Sequence, residues 1–519
     1  MRGLSLLDII VLILYFVVIA FVGLVTSRRV KTQKDYYVGG RRFGRLLVMM
    51  QSFGVGTSNT HPILVAGAAY TFGMAGIWYS WLYMLFMPAV WVLQPLIRRL
   101  RIYTTPDYFE LRYSSTLGTF FSISAIINLC IMTGTMLIGM GQIVEGITDG
   151  GLSKEVVIVV TAFVVILYST FGGMLAAAVT DVLQGILIVV LSFMLLPPMF
   201  AAVGGLDGLQ AALPAEKLLL AMPKTGDPTK TIGLFAIFML CANGILGNLV
   251  EPTAQTMQAA KNEWTLRLGG AIGAFFKRIC TVGWALVGLC AIVIWPNLSD
   301  PELCFGMASK RFLPAGFSGL MIAGMLAAGM STISALQVIA AAIFSRNLYA
   351  KHIKKGATDN HYLFVARLLG MLLIVLGIIV AFLFSSVRDA VEFWWKITAF
   401  LGPTLILGLF IRRGNSWGAW ACIIVSAMVW LLTEKLLVPL DAKWSTVWYQ
   451  SALYLPAGIV AYFAASFLTK PEDEIRLSRF YARLNTPVGQ EKVLIDSGLE
   501  PNPDEILPHI AEEKGNGNR

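Results

Sequence analysis

Charge is scarce in this chain. Only 13% of its 519 residues are charged and 57% are hydrophobic, whereas soluble domains carry about a quarter charged residues. With a mean hydropathy of +0.72, the composition excludes an ordinary soluble protein and indicates a polytopic membrane protein embedded in a lipid bilayer. Paired cysteines are also lacking. Cys130, Cys241, Cys280, Cys290, Cys304 and Cys422 show no CxxC or metal spacing, and most fall in apolar runs, so packing is their expected role. No phosphate loop and no nucleophile–base constellation is present, so the chain does not read as an enzyme. The N-terminal run lacks a small-residue cleavage site and reads as a retained helix. A net charge of +10 raises the question of nucleic acid, but the basic residues sit in short loops beside apolar runs. There they set membrane orientation, so no nucleic-acid partner is expected. No obligate protein partner is evident.

Apolar runs of spanning length recur at roughly 6–26, 47–70, 74–97, 117–145, 154–174, 178–204, 231–257, 269–296, 314–345, 361–386, 390–411, 416–436 and 448–468. These thirteen or so segments each approach the ~20 residues a bilayer core requires. Basic residues from Arg28 to Arg45 place the first loop in the cytoplasm and the N-terminus outside. The loops at Arg98–Arg101, Lys261–Arg267, Arg346–Lys355 and Arg412–Arg413 agree with that parity. The tail from Lys470 to Arg519 then lies inside, and its mixed charge with Pro, Gly and Asn reads as partly disordered. No soluble domain is expected, and a bacterial inner membrane suits the compact loops.

Two spans read as interrupted. The second holds Gly54, Gly56, Thr57, Ser58, Asn59, Thr60, His61 and Pro62, a run poor in helix formers. The seventh holds Asn243-Gly244, Gly247-Asn248 and Glu251-Pro252. Interruptions five helices apart point to an inverted-repeat transporter with its site at the midplane, although glycines in such helices also serve plain close packing.

Three motifs stand out. Gly172-Gly173-Met174 closes one apolar run, and Asp181 with Gln184 opens the next. Ala327-Ala328 with Met330-Ser331-Thr332 lies on the ninth span, which exits through Asn347 and Tyr349. A connector runs from Arg101 through Pro106 and Glu110 to Tyr113. Together these resemble the sodium:solute symporter family over roughly residues 5 to 470. The resemblance implies an all-α protein with a leucine-transporter-like core of two inverted five-helix repeats. Residues 1–46 would form an extra helix and loop, 47–412 the transport core, 413–469 two further helices, and 470–519 the tail. The implied function is uptake of a small organic solute driven by inward Na⁺ movement.

On this resemblance Gly54 and Thr57 match the family's two carbonyl ligands for Na⁺. Ala328, Ser331 and Thr332 supply a carbonyl and two hydroxyls, which the helical spacing of three and four brings to one face. Asp181 and Ser334 match a second Na⁺ site of some members. Ala335 replaces the further hydroxyl of that site, so one Na⁺ per cycle is expected, and Asp181 would shape the exit path or accept a structural hydrogen bond. Candidate solute contacts are Asn59, Thr60, His61, Ser80, Asn248, Glu251, Gln255 and Lys277. Lys277 matches a lysine of the sugar transporters, but Glu251 replaces their asparagine, so the solute class stays open among sugar, amino acid and carboxylate. Trp78, Tyr79 and Trp81 read as solute-stacking or interfacial residues, Trp394-Trp395-Lys396 as an interface anchor, and Gly402-Pro403 as a helix break. The alternatives are a proton-coupled transporter of the same fold, titrating Asp181, Glu251 or His61, a solute sensor that does not transport, or a cation channel. The intact Ser331-Thr332 pair, the lack of a signalling domain and the lack of a filter loop count against these in turn.

Overall fold

The computed structural model describes residues 4–27, 44–82, 84–85, 87–169, 173–222, 229, 231–251 and 257–498. No strand occurs among them. The helices of the first half are α1 (Leu6–Ser27), α2 (Arg45–Gly56), α3 (Thr60–Phe72), α4 (Met87–Arg99), α5 (Thr105–Arg112), α6 (Ser115–Thr148), α7 (Lys154–Ser169), α8 (Gly173–Met194), α9 (Leu196–Val203) and α10 (Gly205–Ala212). Those of the second half are α11 (Leu234–Val250), α12 (Glu263–Ile294), α13 (Cys304–Phe312), α14 (Phe317–Ala342), α15 (Asp359–Leu383), α16 (Val387–Phe410), α17 (Ser416–Leu432) and α18 (Val447–Leu468), followed by α19 (Glu474–Asn485) and α20 (Lys492–Asp496). The run 74–97 divides between a 3₁₀ segment, Gly73–Tyr79, and α4, whereas the other apolar runs fall mainly on one of these helices or a consecutive pair. Among the described residues nine helices are long and apolar enough to cross a membrane, and Leu6–Val18 and Leu234–Val250 are shorter apolar helices.

Local sequence explains where the long helices begin. Ser114, Asn262, Thr358, Ser386 and Asn415 each accept a backbone N–H of the first turn they precede, satisfying donors that would otherwise be orphaned. A helix that must enter a bilayer cannot leave those donors to lipid.

Two groups of helices organise the core. In one, α12 packs along α2 and α3 and touches α4; in the other, α6 packs against α14 and α15. They meet where α2 touches α14 and α3 touches α6. α14 is buried all round, whereas Val190, Ile424 and Val460 on α8, α17 and α18 lie exposed on outer, lipid-side faces. Two carboxylates tie this core together. Asp8 Oδ1 on α1 accepts the N–H groups of Gly316 and Gly319 at 2.7 Å each, capping the start of α14. Glu302 accepts from Val387 and Arg388 N–H at 2.9 and 2.8 Å, capping α16, and from Gln142 Nε2 of α6 at 2.6 Å.

Several sequence expectations are corrected here. The tail is ordered in part: Leu477, Phe480 and Leu484 form a buried face of α19, and Arg483 Nη1 reaches the Leu100 carbonyl at 3.5 Å. α11 is continuous through Asn243 to Asn248 and ends at Val250, so the seventh span breaks later than its glycines suggest. Those glycines serve close approach instead. A Cβ on Gly244 would lie 2.5 Å from the Leu82 side chain, and one on Gly247 2.7 Å from Thr398 Oγ1. Asn243 Nδ2 bonds Ser451 Oγ and Tyr454 OH, joining α11 to α18. α16 likewise runs unbroken through Gly402 and Pro403. Trp395 and Lys396 are buried rather than interfacial, with Trp395 5.7 Å from the Tyr79 ring and Lys396 Nζ 3.5 Å from Glu434. All six cysteines are buried and free, as packing requires.

Candidate functional site

The break in the second span is sharp. α2 stops at Gly56, Thr57 takes non-helical angles (φ −134°, ψ 70°), and α3 resumes at Thr60. Three successive residues with short polar side chains, Thr57 to Asn59, compete with the helix ladder there. Gly54 carbonyl accepts the Thr57 N–H at 3.1 Å, which leaves the second lone pair of that oxygen for another ligand.

Thr57 and Asn59 are fully buried. Thr57 Oγ1 and Asn59 Oδ1 have no hydrogen-bond partner among the described residues. Leaving one such group unmet costs about 1–3 kcal/mol, so two within three residues need a reason. Asn59 Nδ2 donates to the Met136 carbonyl of α6 at 2.9 Å.

The facing wall is α14. Ala328, Ser331, Thr332 and Ser334 are all buried. Thr332 Oγ1 donates to the Ala328 carbonyl at 2.9 Å, and Ser334 Oγ to the Met330 carbonyl at 2.9 Å. A hydroxyl that spends its proton this way keeps its lone pairs, so backbone bonding and cation ligation are compatible for Thr332. Gly329 brings the two walls together: a Cβ there would sit 2.6 Å from Asn59 Oδ1. Asp181 lies on α8, which packs against α14, but its side chain lies outside the described residues.

A second cluster links α3 to α12. Lys277 Nζ lies 2.8 Å from His61 Nε2. His61 Nδ1 faces the Ser58 N–H at 3.2 Å and Ser58 Oγ at 3.1 Å, and Ser58 Oγ meets Thr60 Oγ1 at 2.6 Å. One turn along α12, Thr281 Oγ1 donates to the Lys277 carbonyl and meets Ser80 Oγ at 3.2 Å. Thr60, His61, Ser80 and Lys277 therefore form one continuous polar chain with Ser58 and Thr281.

The remaining candidates stand apart. Asn59 turns toward α6 and α14. Asn248 is half-buried on α11. Glu251 lines a small cavity with Thr105, Tyr108 and Met257, and its carbonyl accepts from Thr105 Oγ1 at 3.1 Å. Gln255 lies outside the described residues. Trp78 Nε1 donates to the Leu220 carbonyl, and Tyr79 OH to Glu392 Oε1 at 2.8 Å; Tyr79 and Glu392 line a cavity with Arg388 and Trp448.

Sequence reasoning missed Asp8, Glu302, Ser58 and Thr281. An acid in the first turn of an apolar span is a signal in itself, because charge there is costly; its partners more than three hundred residues away are not readable.

Broken helices, buried oxygens without donors and a buried Lys–His pair describe a membrane transporter. A profile of the sodium:solute symporter family matches residues 36–426, and the chain belongs to that family of integral, multi-pass membrane proteins that couple Na⁺ to the movement of small solutes. Among curated relatives, the osmoregulated proline transporter of Bacillus subtilis is 26% identical over 81% of this chain and 88% of its own length. The sodium/glucose cotransporter of Vibrio parahaemolyticus is 26% identical over 82% and 84%. A solved Na⁺-coupled sialic acid symporter, substrate-bound and outward-open, shares the fold with a TM-score of 0.76, at 20% identity over 90% of this chain and 99% of that one. The leucine-transporter-like core expected from the resemblance is therefore the fold of this chain.

Proposed function

We propose that this protein takes up a small organic solute by coupling it to inward Na⁺ movement through alternating access. The carbonyls of Gly54, Thr57 and Ala328 and the hydroxyls of Ser331 and Thr332 are the Na⁺ ligands. The observation that carries this reading is the break at Gly54–Asn59, whose buried Asn59 Oδ1, without a donor, lies against Gly329 in the middle of the α14 motif. Na⁺ between these walls would tie the group containing α2 to the group containing α14, favouring the state open to outside solute. When the groups rock, both ligands leave on the cytoplasmic side.

The solute lies along the chain Thr60, His61, Lys277 and Ser80, between α3 and α12. Residues 47–412 constitute the moving core, with 1–46, 413–469 and 470–519 as additions. The protein resides in a bacterial inner membrane with its N-terminus outside and its C-terminus in the cytoplasm. Proline and glucose, named for the two relatives, both belong to the small polar solutes this cluster suits.

Uptake into proteoliposomes tests the reading. A mixed panel of sugars, amino acids and carboxylates is offered with and without a Na⁺ gradient. Accumulation that needs the gradient supports it. Accumulation that follows a proton gradient and ignores Na⁺ refutes the site, and binding without accumulation makes the protein a sensor.

A further inference from the structure

We infer that the side-chain oxygen of Asn59 is a further ligand of the coupling cation, so that cation binding engages α6 as well as α2 and α14. The inference rests on the Na⁺ reading above and adds a residue to it.

The orientation of the carboxamide is fixed. Its Nδ2 end lies 2.9 Å from the Met136 carbonyl, and a carbonyl only accepts, so the amide nitrogen must be the atom placed there. Oδ1 is then the other end by necessity. It is buried and has no donor among the described residues. It points at a place on α14 without a side chain: a Cβ on Gly329 would lie 2.6 Å from Oδ1 and 2.2 Å from Met140 Cε. Gly329 stands between the proposed ligands Ala328 and Ser331. Thr57 Oγ1, two residues before Asn59, is equally buried and equally without a donor.

Acceptors gathered without donors suit a cation better than a solute, which brings hydroxyls or amines only to some of them. A carboxamide oxygen is a hard, neutral ligand; it adds coordination without charge and so suits a monovalent ion. Asn59 is also bonded to α6, which lies in the group containing α14 and α15. Its participation would let the ion draw on three helices at once.

The test uses purified full-length protein and the rise of its melting temperature with Na⁺, K⁺ being exchanged to hold ionic strength. Asn59→Leu keeps the shape and removes the oxygen. Gly329→Ala keeps the oxygen and fills the space before it. Asn59→Leu gives up the Met136 bond and Gly329→Ala must push Met140 aside, so each is referred to its own melting in K⁺; both should need at least about tenfold more Na⁺ for the half-maximal rise, the scale of losing one group around a metal. Asn59→Asp should keep the Na⁺ response. Should Asn59→Leu fail to fold, Gly329→Ala decides. A wild-type Na⁺ dependence in Asn59→Leu, with loss of the response in Ser331→Ala/Thr332→Ala, overturns this inference and spares the site. A retained response in that double variant refutes the site itself. A changed solute dependence with unchanged Na⁺ dependence makes Asn59 a solute contact and likewise overturns the inference.

Discussion

Lys277 Nζ and His61 Nε2 lie 2.8 Å apart across the α3–α12 interface, and donor accounting makes the pair incomplete. The Ser58 N–H can only donate, so His61 Nδ1 accepts and Nε2 carries the ring proton. An ammonium opposite that N–H has nothing to accept with, and a neutral amine would accept it and still keep two N–H groups to give. A solute oxygen inserted beside the pair would receive from both. Lys277→Met should therefore raise the solute KM by about tenfold or more, and His61→Gln by less, since an amide can replace one donor. Neither should move the Na⁺ concentration for half-maximal thermal stabilisation. A Na⁺ shift as large as the KM shift would show that the pair serves the ion or the fold.

The α14 hydroxyls behave differently. Thr332→Val preserves shape and removes the oxygen that donates to Ala328. Combined with Ser331→Ala it should abolish gradient-driven accumulation and weaken Na⁺-dependent stabilisation by at least about tenfold. Melting without Na⁺ should change little, because the carbonyl released is still in the helix ladder. Solute counterflow at saturating Na⁺ separates lost coupling from lost binding.

Much of this arrangement was legible in the primary structure, and the exceptions have physical causes. The break near Thr57 was readable because Gly, Ser, Asn and Thr in succession disfavour any helix. In the later span, Glu251-Pro252 coincides with the end of α11 at Val250, whereas Gly244 and Gly247 make room for Leu82 and Thr398; a glycine that admits a neighbour looks the same in sequence as one that ends a helix. Ser331 and Thr332 were recognised by motif. Asn59 reads in sequence as a solute contact, and only the packing reveals that its amide nitrogen is claimed by Met136. The tail conceals an amphipathic helix, since Glu472, Glu474 and Arg476 look solvated until their partners, Ser416, Arg412 and the Tyr113 carbonyl, are known.

Glu302 offers a pH-dependent test outside the spans. Burial raises its pKa above the ordinary value of 4.5, although the Arg388 and Val387 N–H groups and Gln142 oppose the shift. The folded protein thus holds this proton to higher pH than the unfolded chain. The stability linked to the group is fully present below the ordinary carboxylate range and is lost as pH rises through the raised value. Melting temperature should fall across that window in wild type and less steeply in Glu302→Gln. Glu302→Ala should cost about 1–3 kcal/mol at any pH by stranding three donors. Parallel pH slopes for wild type and Glu302→Gln would refute the assignment.

Arg101 fastens one end of the bundle, and it does so in a strained backbone. Its φ is +57°, the left-handed region that costs an L-residue about 1–2 kcal/mol. The guanidinium is buried and donates to the carbonyls of Thr486 at 3.2 Å and Pro487 at 2.8 Å, just past the end of α19, while Glu491 Oε1 accepts at 3.1 Å. A cation there meets the negative end of the α19 dipole. Beside it, Glu263 on α12 pairs with Arg99 and accepts the Val488 N–H at 3.0 Å. The segment after α18 is therefore strapped to α4 and α12, the group proposed to rock. Arg101→Ala should lose the bonds and keep the strain, whereas Arg101→Gly should lose the bonds and relieve it. Hydrogen exchange across Glu474–Asp496 should quicken by about tenfold or more in both, with Gly the more stable protein by about 1 kcal/mol. Faster solute exchange in the same variants would mean the strap restrains the rocking. Unchanged hydrogen exchange would mean that the buried face of Leu477, Phe480 and Leu484 holds α19 without help from Arg101.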